Sequence, residues 1–247
     1  MADSLTIGGT AVKMRPWPSF SITPSIQWIQ DSAGRWNGSD RGASRDAYEA
    51  TATFQGLESA LNTLEQTLDS NREAVTLSAF NVPLFAPNVD HTGSISAVVL
   101  GFERRQIQFP GVYELVVSFR AIAPTLLATT PSLATLRLQE TFEASHTYES
   151  PKAFTYGQTA AYGDHRSDVG TFEASFSQST AQIQAILAYL LTTARASDIA
   201  FPAALSTVAY PWGRTRGTPT NCKILSFDVS RKNLNRWGLK IKFGEAS

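Results

Sequence analysis

Three histidines and one cysteine hold most of the reactive chemistry open to this chain of 247 residues. His91 follows Asp90 and His165 follows Asp164, while His146 has no acid beside it. An acid next to an imidazole is how many hydrolases orient a general base. Sequence neighbours in a strand or turn point in different directions, however, so adjacency builds no dyad. Gly93 and Gly163 stand close by, and both pairs read as solvated loops. No G-x-S-x-G elbow, H-E-x-x-H helix or phosphate-cradling glycine loop occurs. Glu49 and Glu173 fall at corresponding places on polar strand faces. A glycosidase would need such a pair at a fixed separation, and the reading here is two surface carboxylates. Cys222 stands alone, which allows neither an intrachain disulfide nor a cysteine zinc site. It reads as a reduced, half-buried thiol. The expectation is a protein that is not an enzyme, with no catalytic, metal or cofactor-binding residues and no cofactor.

Two loops and one strand face offer contacts instead. Residues 210–220, YPWGRTRGTPT, set an aromatic pair and two arginines among glycine and proline. Tyr210 and Trp212 suit anchoring in a neighbouring subunit, and Arg214 and Arg216 suit pairing with its acids; a glycan or a phosphate is the other partner such a loop fits. The corresponding loop, residues 85–93 (FAPNVDHTG), is acidic, with Phe85 and Asp90 as its candidate contacts. Loops of opposite charge at matching places suit head-to-tail assembly. Lys240 and Lys242 share a strand face opposite Leu239, Ile241 and Phe243. They read either as a solvated face that discourages edge pairing or as a positive surface lining a channel or facing nucleic acid. No row of stacking aromatics accompanies them.

Net charge is zero, from 21 basic and 21 acidic residues, so no overall field draws nucleic acid or an anionic membrane. The split is uneven: residues 1–123 carry 9 basic and 12 acidic groups, and residues 124–247 carry 12 and 9. No run of 18 apolar residues occurs, so no membrane-crossing helix is expected. The first twenty residues lack the apolar centre of a signal peptide. That points to synthesis in a reducing cytoplasm and makes Asn37-Gly38-Ser39 a turn. At 43% hydrophobic the chain has ample material for a core.

The strands that would hold these residues are written twice. A shift of 124 lays Tyr113, Leu115, Val117 and Phe119 on Trp237, Leu239, Ile241 and Phe243. The same shift lays Tyr48-Glu49-Ala50-Thr51 on Phe172-Glu173-Ala174-Ser175, Val75 and Leu77 on Ile199 and Phe201, and Pro87 on Pro211. The helices prefer 126: Leu57, Leu61, Leu64 and Leu68 line one face of 56–72, and Ile183, Ile186, Leu187 and Leu190 one face of 180–196. Two residues gained before the second helix and two lost after it would reconcile the shifts. Each half then reads as a lead-in (19–30; 132–145), a strand (48–54; 170–176), a helix and a short strand (74–80; 198–205). A proline-containing excursion and two strands follow (94–102 and 112–121; 221–229 and 236–243). The predicted fold class is α+β: two tandem modules related by internal duplication, each an antiparallel β-sandwich or barrel with one flanking α-helix. The first module is 1–123, with an N-terminal arm over 1–18 that either grips a neighbour or leads into a core strand. Residues 124–131 form the connector, where Pro124 and Pro131 interrupt pairing, and 132–247 form the second module.

A strand, a helix, then strands with a projecting loop, given twice, resembles the tail-tube fold of long-tailed bacteriophages and its tail-tip relatives. The stretch 44–73, SRDAYEATATFQGLESALNTLEQTLDSNRE, followed by VTLSAF at 75–80, is similar to distal tail and baseplate hub proteins. The resemblance covers most of 40–122 and, more weakly, 164–244. It implies tail-tube-like modules packed side by side in a ring around a central channel. One-module members of that family form hexamers and two-module members form trimers with pseudo-sixfold symmetry, so it implies a homotrimer here, with a hexamer as the other arrangement. The second domain of a distal tail protein usually differs from its first, so a duplicated chain leans toward the hub or tube type. The implied function is structural: a tail-tip or baseplate ring joining the tail tube to hub or fibre proteins. The implied partners are the tail tube, the tape measure and hub or fibre proteins, with DNA present only in transit and no membrane. The implied location is the virion tail, after assembly in the host cytoplasm. Two alternatives stand beside it: the tail tube protein itself, and a β-rich carbohydrate-binding module for host attachment that stacks sugars on Trp212, Tyr210 and Trp36.

Overall fold

The computed structural model describes residues 3–15, 18–30, 36–107, 111–133, 145–148, 170–200, 202, 221–233 and 235–246. The chain is mostly β-sheet, with two α-helices among the described residues. In the first half, β1 (Asp3–Ile7) and β2 (Thr10–Met14) form a hairpin turned by Gly8 and Gly9, both at positive φ. Such a turn is open to glycine and strained for other residues. There follow β3 (Ser19–Thr23), β4 (Ile26–Gln30), β5 (Trp36–Asp40), β6 (Ala47–Leu57), α1 (Glu58–Ser70), β7 (Val75–Ser78), β8 (Ile95–Gln106) and β9 (Val112–Ala121). The sheet runs β2-β1-β7-β8-β9-β6-β3. Met14 of β2 also pairs with Phe54 of β6, so the ladder returns on itself. Strands β4 and β5 form a separate hairpin.

The second half comprises β10 (Ser145–Tyr148), β11 (Gly170–Ser179), α2 (Thr180–Leu191), β12 (Ile199–Ala200), β13 (Asn221–Asn233) and β14 (Arg236–Glu245). Its sheet runs β10-β11-β14-β13-β12. That is the order β3-β6-β9-β8-β7 of the first sheet, with a helix leaving the end of β11 as α1 leaves β6. The likeness extends to an irregularity. In β8, Leu100 is an extra residue between the pairs Val99–Phe119 and Gly101–Ser118. In β13, Leu225 is an extra residue between Ile224–Phe243 and Ser226–Lys242. A bulge bends and twists its strand locally, and both sheets place one at the same point.

Pairing corrects the alignment expected from the sequence. The residues preceding the helices, Leu57 and Ser179, stand 122 positions apart. Gly56 faces Tyr113 as Gln178 faces Trp237, so β6 maps onto β11 at 122 while β9 maps onto β14 at 124. The helices follow at 122, with buried Leu61, Leu64 and Leu68 matching Ile183, Ile186 and Leu190. The counterpart of Glu173 is therefore Thr51, because both face the pair Ser118 and Lys242; it is not Glu49.

The core follows from period-two burial on the long strands. Tyr48, Ala50, Ala52 and Phe54 of β6 face inward, as do Leu115, Val117 and Phe119 of β9 and Trp237, Leu239, Ile241 and Phe243 of β14. Each buried large side chain contributes roughly 1.5–3 kcal/mol. The buried residues of both halves join into one cluster. Of the two readings of the N-terminal segment, the described strands follow the core one: Leu5, Ile7 and Met14 are buried, and β1 pairs with β7. The connector, 124–131, has no strand of its own apart from one bridge between Leu126 and Val89.

Candidate assembly surfaces

The joint between the halves is the most elaborate polar structure in the described residues. Arg195, just past α2, reaches into the first half with a side chain only 6% exposed. Its Nη1 and Nη2 donate to the two carboxylate oxygens of Asp46 at 2.6 and 2.9 Å, and its Nε donates to Asp40 at 2.7 Å. The Ser25 amide also donates to Asp46, at 2.8 Å. The planar guanidinium fork suits this two-carboxylate arrangement better than an ammonium would. The Arg195 guanidinium beside Asp40 holds its carboxyl below the usual range, helped by the Gly42 amide. Hydrogen bonding to Asp46 raises Arg195 further still.

Apolar contacts surround this node. Hairpin β4–β5 seats on the second half: a Cβ added to Gly38 would lie 3.0 Å from Ala196, and one added to Gly244 would lie 2.6 Å from Trp36 and 3.0 Å from Leu225. Only glycine lets the Trp36 ring come this near β14. Strand β3 lies against β13, and Phe20 packs on Trp237 with ring centroids 5.8 Å apart. The loop at 84–89 is wedged between connector and helix. Asp90 and Leu127 donate backbone bonds to Thr125 and Asn88, and the Gln184 side chain donates to the Pro87 carbonyl at 3.0 Å.

These positions revise several expectations. Phe85 is fully buried, so its ring cannot contact a neighbouring subunit; the loop that carries it faces its own second half. Asp90 remains partly exposed, but its carboxylate accepts from the Thr92 amide and hydroxyl, which closes a tight local turn. His91 is half-buried rather than a freely solvated loop residue. Its Nδ1 pairs with the Val89 carbonyl at 2.8 Å, its Nε2 accepts from the Phe85 amide at 3.2 Å, and its ring meets Phe80 edge-on. Burial holds it below its ordinary pKa. Cys222 is fully buried rather than half-buried, and burial pushes its thiol up to about 12.

Lys240 and Lys242 do lie exposed on one face of β14. The face is not simply basic. Lys240 forms an ion pair with Glu173 and is paired across the ladder with Asp228, while Lys242 stands opposite Glu173. The matching face of the first half carries the ion pair Glu49–Arg120 and the hydroxyl pair Thr51–Ser118 at 3.1 Å. Trp36 is no open platform for sugars, because its ring lies against Gly244 in the joint and its Nε1 is buried. Tyr210, Trp212, Arg214, Arg216 and His165 lie outside the described residues. Sequence reasoning missed Asp40, Asp46 and Arg195, since nothing in residues about 150 apart signals a shared site. Leu100 and Leu225 had a signal: VLGF at 99–102 and ILSF at 224–227 repeat one pattern.

No described helix is long and apolar enough to cross a membrane. No protein-family model matches the chain, and no curated protein matches it either.

Proposed function

We propose that the chain is a structural virion protein of a long-tailed phage, forming a tail-tip or baseplate ring from three copies. In this reading the two halves are duplicated tube-like modules, and three chains imitate sixfold symmetry around a channel that joins the tail tube to hub or fibre proteins. One observation carries it: two sheets of the same strand order, with a bulge at the same place, seated against each other in one chain. A module that seats its neighbour through strand contacts and a buried ionic lock is suited to repetition. The charge-balanced outer faces, Glu173 with Lys240 and Glu49 with Arg120, suit a lining that neither traps nor repels DNA in transit. The carbohydrate-binding alternative loses Trp36 as a platform. The tail tube protein stays as the neighbouring station for the same architecture. The test is solution mass by light scattering at high concentration, alone and with a tube protein. Three chains per particle are expected; a particle that stays at one chain in both conditions would contradict the reading.

A further inference from the structure

Strands β8 and β13 are counterparts with unequal neighbours. β12 pairs with β13 only at Asn221 and Cys222, and β3 of the first half lies against β13. At the bulge of that strand, Leu225 is half-buried with Trp36 beside it over Gly244. In the first half, β7 pairs with β8 only at Ile95, Ser96 and Ala97, and the Val99 amide donates to the Arg72 carbonyl. Beyond that point no described strand pairs with this edge of β8. Leu100, the counterpart of Leu225, is 45% exposed. Gly101 beside it opens on empty space, and Arg120 stands where the second half has Gly244. A hollow of about 460 Å³ on this face is lined by Leu100, Gly101, Ser118, Thr51 and Glu49, and by β3. Strand β10, the counterpart of β3, is likewise the outer strand of its sheet among the described residues.

We infer that the stretch of β8 from Leu100 to Gln106 is the seat for the second half of another copy of this chain. In that contact β10 of the incoming copy lies against β8 as β3 lies against β13 within the chain. The inference rests on the ring reading above and names the surface that would close the ring. The occupant is a second copy because the molecule already contains this contact once. Among the described residues, each chain has one such strand with its own β3 against it, one with no strand paired to it beyond Ala97, and one outer strand to offer. A contact of this head-to-tail kind repeats until the ring closes. Of the charges on this strand, Glu103 matches Asp228 of β13 through their shared place after the bulge, and Arg104 and Arg105, which stand where β13 has Val229 and Ser230, are already paired with Glu65 and Glu103.

Gly101→Trp tests the seat. An added Cβ at Gly101 meets no atom within 4 Å, so the new side chain starts in open space, in the path of an incoming copy. Leu100→Asp is the second variant, should Gly101→Trp lower the melting temperature. Light scattering and sedimentation over a concentration series are the readout, with circular dichroism as the check on folding. The wild type is expected to associate into multiples of three, and each folded variant to lose association at least tenfold. Folded variants that assemble like the wild type overturn the seat and leave the ring reading standing. A wild type that stays monomeric up to its solubility limit overturns the seat, and self-assembly into a ring with it.

Discussion

Arg195 shows how much one side chain can carry. It is held between Asp46 and Asp40, and the Asp46 side chain is only 2% exposed. Removing the guanidinium leaves a buried carboxylate with one backbone donor, and breaking such a pair costs about 3–5 kcal/mol. Arg195→Ala is therefore expected to lower unfolding stability by that amount in urea melts, with Arg195→Lys in between because a point charge cannot fill the fork. A loss under about 1 kcal/mol would show the node to be peripheral. His91 makes a second case, in pH. Its Nε2 accepts from the Phe85 amide and its pKa is lowered by burial. The unfolded chain therefore takes up the proton first as pH falls through 6.5, the ordinary value. Stability contributed by neutral His91 is complete above that value and is lost below it, toward the lowered folded value. Urea midpoints measured at about pH 7.5 and 5.5 are expected to fall further for the wild type than for His91→Gln. Equal falls would mean that other groups set the slope.

Strands and helices differ in how much of them the sequence betrayed. β9 and β14 were legible because alternating large apolar residues at 113–119 and 237–243 can only be inward faces of half-buried strands. Both helices were legible from their leucine and isoleucine faces. The alignment of β6 with β11, and of the two helices, was not. A strand shifted by two residues keeps its faces, and a helix shifted by four nearly keeps its stripe. Apolar pattern alone thus accepted 124 and 126 where pairing and helix starts require 122. The inward turn of the 84–89 loop was hidden for another reason: Phe85 and Asp90 look alike in an outward arm and in an interdomain wedge. Helix α1 also exposes a weakness that α2 lacks. Ser179 and Gln182 form a reciprocal capping box, while α1 begins on Leu57, which is 64% exposed and caps nothing. Leu57→Asp supplies an acceptor and a favourable charge at the helix start. It is expected to raise stability by about 0.5–2 kcal/mol in the same urea melts, and no gain would mean that the first turn of α1 is held by packing alone.

The assembled chain reads as a pair of like sheets locked together by charge, aromatic packing and a buried loop. The sequence pointed to two similar β-rich halves; what it could not show was that the first half already clasps the second, since that depends on Trp36 meeting Gly244 and on Arg195 meeting Asp46. If the internal contact is a template for contacts between chains, subunit number and apparent symmetry must differ by a factor of two. Negative-stain images of the assembled protein, with its mass measured on the same preparation, address this directly. The expected result is a closed ring with six similar lobes and a mass of three chains. Six lobes with a mass of six chains, or a closed ring of three lobes, would contradict the equivalence of the two halves on which the proposed function depends.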